Sequence, residues 1–235
     1  MSARRSARRS ALTIRCCRCW HDWRSSLEAG AAVADQRVAV VSRWLGYHQA
    51  TLDRRPRPLL RMACDLLGAG AGRTAVDLGC GAGADVLALL AQGWSVVAID
   101  RDPAGLDLLR GRVAAHGTDR ARIVRASFAE ATLPSAHLVH AGYSVPFCPP
   151  EEFPGVWAGI RRALVPGGIF AGQLLGPRDS WAGAGSRMSF HGRDQVGGLL
   201  EGMEVLRLDE AEWDGTAISG AKHWHVYDIL ARQPD

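Results

Sequence analysis

Thr74-Ala75-Val76-Asp77-Leu78-Gly79-Cys80-Gly81-Ala82-Gly83, with Asp100 closing the next apolar run Ser95-Val96-Val97-Ala98-Ile99-Asp100, is the stretch on which the reading of the fold turns. A buried strand that enters a tight turn needs residues without a β-carbon where the backbone bends or passes beneath a ligand. Gly79, Gly81 and Gly83 supply them, and a helix starting at Ala84 points its positive end toward whatever lies on the turn. Asp100 follows Gly79 by 21 residues, where a carboxylate can accept both hydroxyls of a ribose. Dinucleotide folds place their third glycine five residues after the first. Here the offset is four, and position 84 is alanine.

Working outward, apolar runs alternate with helical spacing. Asp35 to Leu52 has Val38, Val41, Leu45 and His48 on one helical face, and Arg54-Arg55-Pro56-Arg57-Pro58 breaks that helix. Leu59 to Leu67 resumes as a helix. After the turn come a helix over Ala84–Gln92, the Asp100 strand, and a helix over Pro103–His116 with Asp102 as its N-cap. Strands are predicted at Arg122–Ala126 and His137–Ala141. A helix over Glu151–Leu164 is expected to end at Pro166-Gly167-Gly168, followed by a strand over Ile169–Leu175 and a short helix over Asp194–Leu200. Two last strands, near Glu204–Leu208 and Trp224–Leu230, alternate in a way that suits antiparallel pairing. Such an order predicts an α/β domain, a mostly parallel sheet with helices on both faces.

The 235 residues, 47% hydrophobic and 22% charged, suit one α/β domain with an appendage and exclude disordered, collagenous and coiled-coil classes. Net charge is +4, but the first 24 residues carry seven arginines against Asp22, so the remainder is slightly acidic. A nucleic-acid surface would need a basic patch on the folded part, so none is expected of the core. Residues 1–35 read as a basic tail, disordered or targeting, and 36–235 as the domain. Cys16-Cys17-Arg18-Cys19 with His21 has no second ligand pair, so no metal site is expected. Scattered cysteines suit a reducing, cytoplasmic setting. The Arg/Ser/Ala-rich start also has the composition of an organellar transit segment. No uncharged apolar stretch of about 18 residues occurs, so no membrane span is predicted.

Together, the glycine turn, Asp77 and Asp100 resemble the loop of class I S-adenosyl-L-methionine (SAM)-dependent methyltransferases. The resemblance covers roughly residues 40 to 232. It implies a Rossmann-like, seven-stranded sheet whose last strand is antiparallel, SAM as cofactor, and methyl transfer to an acceptor by in-line displacement. Carried onto this chain, Gly79, Gly81 and Gly83 would pass beneath the methionine moiety and Asp77 would orient the loop or meet the amino group. Asp100 would hold the ribose, Arg101 would flank the adenine, and Ser127 and Phe128 match the adenine-contacting position. The fourth strand departs from the family pattern, opening with His137 rather than Asp.

Tyr143–Pro150, Val165-Pro166-Gly167-Gly168 and Phe190-His191 further resemble the small-molecule branch related to tellurite-resistance methyltransferases. The segment bearing Trp44, Tyr47 and Arg57-Pro58 is similar to the N-terminal lid of that branch. The acceptor would then be a small molecule, with Tyr47 and Trp44 as walls. Ser144-Val145-Pro146-Phe147 would close over the donor, and Trp181 would sit in a covering stretch. A general base is needed only if the nucleophile is protonated. Tyr143, His191 and His140 are the candidates on the acceptor side; His191 is the one assigned as base, with Tyr143 beside it. Two other readings stay open: an NAD(P)-dependent oxidoreductase, disfavoured by the glycine spacing, and a SAM-binding fold without turnover.

Overall fold

The structure is a computed structural model that describes residues 44–217 and 219–235. The chain divides into the units Met1–Ala39 and Val40–Asp235, and the described residues belong to the second. The expected tail, its cysteine cluster and the start of the helix expected from Asp35 lie outside them.

A helix, α1, covers residues 44–50, and α2 runs over Pro58–Leu67. Then follow β1 (Thr74–Leu78), α3 (Ala84–Ala91), β2 (Ser95–Asp100), α4 (Pro103–His116), β3 (Ala121–Arg125) and β4 (Ala136–Ala141). A short 3₁₀ turn at Val145–Phe147 precedes α5 (Phe153–Ala163), β5 (Leu164–Leu175), α6 (Arg193–Leu199), β6 (Glu204–Ala217) and β7 (Gly220–Arg232). Local chemistry accounts for the starts. Pro58 and Pro103 open α2 and α4 at positions where a helix has no use for an N–H. The Asp102 side chain caps α4 by accepting the Gly105 N–H at 3.3 Å.

The seven strands form one sheet in the order β3-β2-β1-β4-β5-β7-β6. β1 to β5 pair parallel, β7 pairs antiparallel with both β5 and β6, and the expected fold class is therefore met. Alternate residues of the strands feed two cores. Val76 and Leu78 join Phe153, Trp157, Ile160, Val196 and Leu200 from α5 and α6. Ala75 faces the other way, toward Leu59, Leu60, Val86, Leu89, Leu106 and Leu109 of α2, α3 and α4. Reversal of strand order on either side of β1 and β4 leaves a crevice at their carboxyl ends, the usual place for a ligand in such sheets.

Three boundaries differ from expectation. β5 begins at Leu164, before Pro166-Gly167-Gly168, because Leu164 already pairs with Ala136 and the register shifts before Leu138 pairs with Ile169. Pairing overrides a stretch whose composition reads as a turn. The last two strands are also far longer than their alternating cores. β6 pairs with β7 from Glu204↔Arg232 to Ala217↔Gly220, extending beyond the end of β5.

Candidate active site

The turn after β1 is held in a left-handed backbone at all three glycines, with φ of 76° at Gly79, 52° at Gly81 and 82° at Gly83. Side chains rarely adopt that conformation, and a β-carbon would overlap Ser144 at Gly79 and Leu109 at Gly83. Gly79 and Cys80 both donate their N–H groups to the Ile99 carbonyl, at 2.8 and 3.1 Å. Asp100 accepts the Gly81 N–H at 2.8 Å on one oxygen and the Asp102 N–H at 2.9 Å on the other. Those bonds leave further lone pairs on the carboxylate. The Cys80 thiol is buried, and burial pushes its pKa well up, so it is a neutral space-filler in the turn.

Beneath the turn lies a buried group of charges. Asp77 is 2% exposed, and its Oδ2 has no hydrogen-bond partner. Burial raises its pKa to about 6, opposed by the nearby His140. Asp85, in the first turn of α3, accepts from both terminal nitrogens of Arg54 and from the Arg57 backbone N–H at 3.0 Å. His140 Nε2 lies 3.3 Å from Asp85, and its Nδ1 lies 2.9 Å from the Ala171 carbonyl oxygen. Burial alone would raise the Asp85 pKa, but His140 and Arg54 outweigh it and hold the carboxyl far below the usual range.

From above, α1 closes on the turn. His48 Nε2 is 2.7 Å from the Asp102 carboxylate, and its ring packs against Gly81 and Gly105. A cleft of about 380 Å³ remains between the 47–57 segment and the glycine turn, with Tyr47, Arg54, Arg57, Asp77 and Gly142 in its walls. Asp100, Arg101, Ser127 and Phe128 are not among its lining residues. Arg101 is exposed. Ser127 is turned onto Glu130, with its hydroxyl 2.8 Å from that carboxylate. The Phe128 ring reaches the back of Gly79.

At the end of β4 the chain takes an unusual course: Tyr143 has φ of 57°, a conformation costly for a bulky residue. Its N–H donates to Gln173 Oε1 at 3.2 Å, and its ring lies under the Arg57 guanidinium at 4.9 Å. From Tyr143 a continuous series of ring contacts runs through Trp224 (5.8 Å), Trp181 (5.7 Å), Phe147 (6.0 Å), Trp44 (5.4 Å) and Tyr47 (5.7 Å). Of these rings Tyr47 lines the cleft, and Arg57, which covers Tyr143, lines it too. Lys222, fully buried, pairs with Asp179 and lies 3.9 Å from the Trp181 ring and 4.3 Å from that of Trp224. His191 is placed elsewhere: its ring packs on Phe153 at 4.2 Å, its Nδ1 is buried without a partner, and it lines neither of the two clefts at this end of the sheet.

Residues 75–168 match the family model described as a methyltransferase domain. The matched segment contains β1 from Ala75 onward, the glycine turn and Asp100. No curated protein matches the chain in sequence. Solved structures similar to it include TehB from Haemophilus influenzae, 16% identical with a TM-score of 0.65 over 74% of this chain and 61% of that one. The chain thus spans about three fifths of TehB. Another is the Burkholderia thailandensis 1,6-didemethyltoxoflavin-N1-methyltransferase with bound 1,6-didemethyltoxoflavin and S-adenosylhomocysteine (SAH), 20% identical, TM-score 0.61, covering 89% of this chain and 92% of that one. The N-methyltransferase NodS from Bradyrhizobium japonicum WM9 in complex with SAH is 16% identical, TM-score 0.61, covering 84% and 98%.

The last two of these structures hold SAH, the product of SAM, and the turn of this chain offers groups that suit such a ligand. Three left-handed glycines let the turn pack closely on Ser144, His48 and Leu109, and Asp77 Oδ2 is an orphaned, buried acceptor in the same cleft. A cationic amino group would satisfy that oxygen.

The sequence reading overlooked Asp85, Arg54 and His48 as parts of this site. Arg54 lies in a stretch that reads only as a helix breaker, and no spacing rule links it to an acid 31 residues later. His223 and His225 are a further case. No spacing in the chain announces their carboxylate partners, yet His223 Nδ1 lies 2.8 Å from Asp214 and His225 Nε2 lies 2.9 Å from Glu210. The β6–β7 register brings these acids across, and Arg178 sits among them, bonded to Glu210 and Glu212. No described helix is long and apolar enough to cross a membrane.

Proposed function

We propose that this protein is a SAM-dependent methyltransferase acting on a small molecule held beside Tyr143. The observation that carries the reading is the unpaired, buried Asp77 oxygen in the cleft wall beside a turn of three left-handed glycines. SAM supplies an electrophilic methyl group on a sulfonium. Transfer neutralises charge, so alignment in a dry cavity is the protein's main task, worth about 7–11 kcal/mol in well-oriented reactions. Asp77 would meet the amino group and Asp100 the ribose, with Arg101, Ser127 and Phe128 toward the adenine. Arg57 lines the donor cleft while covering Tyr143, and so stands between donor and acceptor.

Tyr143 is the side chain we assign to the acceptor. Burial, followed by the negative charge of Asp228, raises its pKa, so it acts as a neutral phenol that orients rather than as a base. We assign His191 a packing role against Phe153. One similar structure is a 1,6-didemethyltoxoflavin-N1-methyltransferase with bound 1,6-didemethyltoxoflavin, which agrees with a small-molecule acceptor.

Thermal unfolding of the full chain with SAH, and separately with NADH, tests the reading. A ligand at about 100 times its dissociation constant adds about 2.7 kcal/mol, several degrees in a domain of this size. A shift with SAH alone supports it. A shift with NADH alone, or with neither, overturns it.

A further inference from the structure

A second cleft, of about 290 Å³, adjoins the donor cleft and shares Arg57 with it; its other walls are Pro58, Leu59, Tyr143, Gln173 and Asp228. Its polar groups are unequally committed. The Arg57 guanidinium covers the Tyr143 ring and approaches Asp85 at 3.7 Å. Gln173 is fixed at both ends, accepting the Tyr143 N–H through Oε1 and donating through Nε2 to Asp228 Oδ1 at 2.9 Å. Asp209, the cross-strand neighbour of Asp228, is held by Arg207. Asp228 itself has no cation within 4 Å among the described residues, and its Oδ2 has no protein partner. A carboxylate oriented by an amide, open on one oxygen and bordered by the Tyr143 ring, is a receptor for a hydrogen-bond donor carrying positive charge.

We propose that this second cleft seats the methyl acceptor and that Asp228 selects one presenting a protonated amine beside an apolar or aromatic body. The inference rests on the methyl-transfer reading above and names its substrate class. Asp228 is a specificity-determining residue here: it touches the acceptor, and the donor cleft does not include it.

The test uses three probes with a common phenyl ring: 2-phenylethylamine, the neutral isostere 2-phenylethanol, and the anion phenylacetate. Each is titrated by calorimetry into the full chain saturated with SAH. The expected order is amine far ahead of alcohol, with phenylacetate not bound. Asp228→Asn should weaken amine binding by about ten- to a hundredfold, the range of one charge-assisted hydrogen bond, while SAH affinity stays the same. Equal binding of amine and alcohol, preference for phenylacetate, or no amine binding by a chain that does bind SAH would overturn the inference and leave the methyl-transfer reading standing. A chain that fails to bind SAH overturns both. The probe comparison needs only the unmodified chain, so it decides even if the variant does not fold.

Discussion

Asp77 and Asp85 are two buried carboxyls a few residues apart, with opposite behaviour. Asp85 is surrounded by donors and stays ionised; Asp77 has none, and burial lifts it to about 6. A raised acid stabilises the fold fully below its unfolded pKa of about 4, and that contribution is lost as pH rises through 6. Asp85 has the reverse sign, stabilising above about 4 and losing that only in stronger acid. If Asp77 meets an ammonium, ligand binding requires its ionised form. SAH affinity, measured by calorimetry, should therefore rise between pH 5 and pH 7, with a proton released on binding. Asp77→Asn should flatten that dependence; an unchanged slope would remove Asp77 from the cofactor site. His191→Ala belongs to the same scale. Its ring touches Phe153, so the variant should melt several degrees lower while the SAH dissociation constant stays within about twofold.

Among the elements, the β6–β7 hairpin holds the acceptor side together. It carries Trp224, and through Lys222 it pins the segment after β5 that carries Asp179 and Trp181. Removing one member of a fully buried ion pair leaves the other uncompensated, at a cost of about 3–5 kcal/mol. Lys222→Met should show that loss in denaturant unfolding, and adding Asp179→Asn, which removes the uncompensated charge while keeping an acceptor beside the Trp181 and His225 N–H groups, should regain part of it. Equal stability of the single variant and the parent would mean the pair contributes nothing. At the end of β4, a β-carbon on Gly142 would overlap the Arg57 side chain. Gly142→Ala should therefore weaken SAH binding and disturb the second cleft together, because Arg57 lines both. A variant that binds SAH like the parent would show Arg57 free to move aside.

For the whole molecule, strand order is what makes a site at all. The order reverses between β1 and β4, and at their carboxyl ends α1 contributes Tyr47 and His48 to the cleft walls. Much of this was legible in the chain. Strand β1, its glycine turn, Asp100 and the capped helix α4 are local, each set by a few adjacent residues whose backbone preferences agree. Trp44 and Tyr47 were read as walls and Trp181 as part of a covering stretch, but their joining into one series through Phe147 was not legible, since those contacts span from α1 to the segment after β5. The start of β5 at Leu164 was hidden because a proline and two glycines mark a turn in isolation, and only the edge offered by Ala136 makes them strand. By itself, the sequence determined the glycine turn after β1 and the carboxylate that closes β2, because left-handed turns and strand ends depend on neighbours in the chain. Only the tertiary structure decided the charge network of Asp85 with Arg54 and His140, the carboxylate partners of His223 and His225, and the open oxygen of Asp228. Those pairings join residues far apart in the chain, and their energies depend on burial and register that no local pattern encodes.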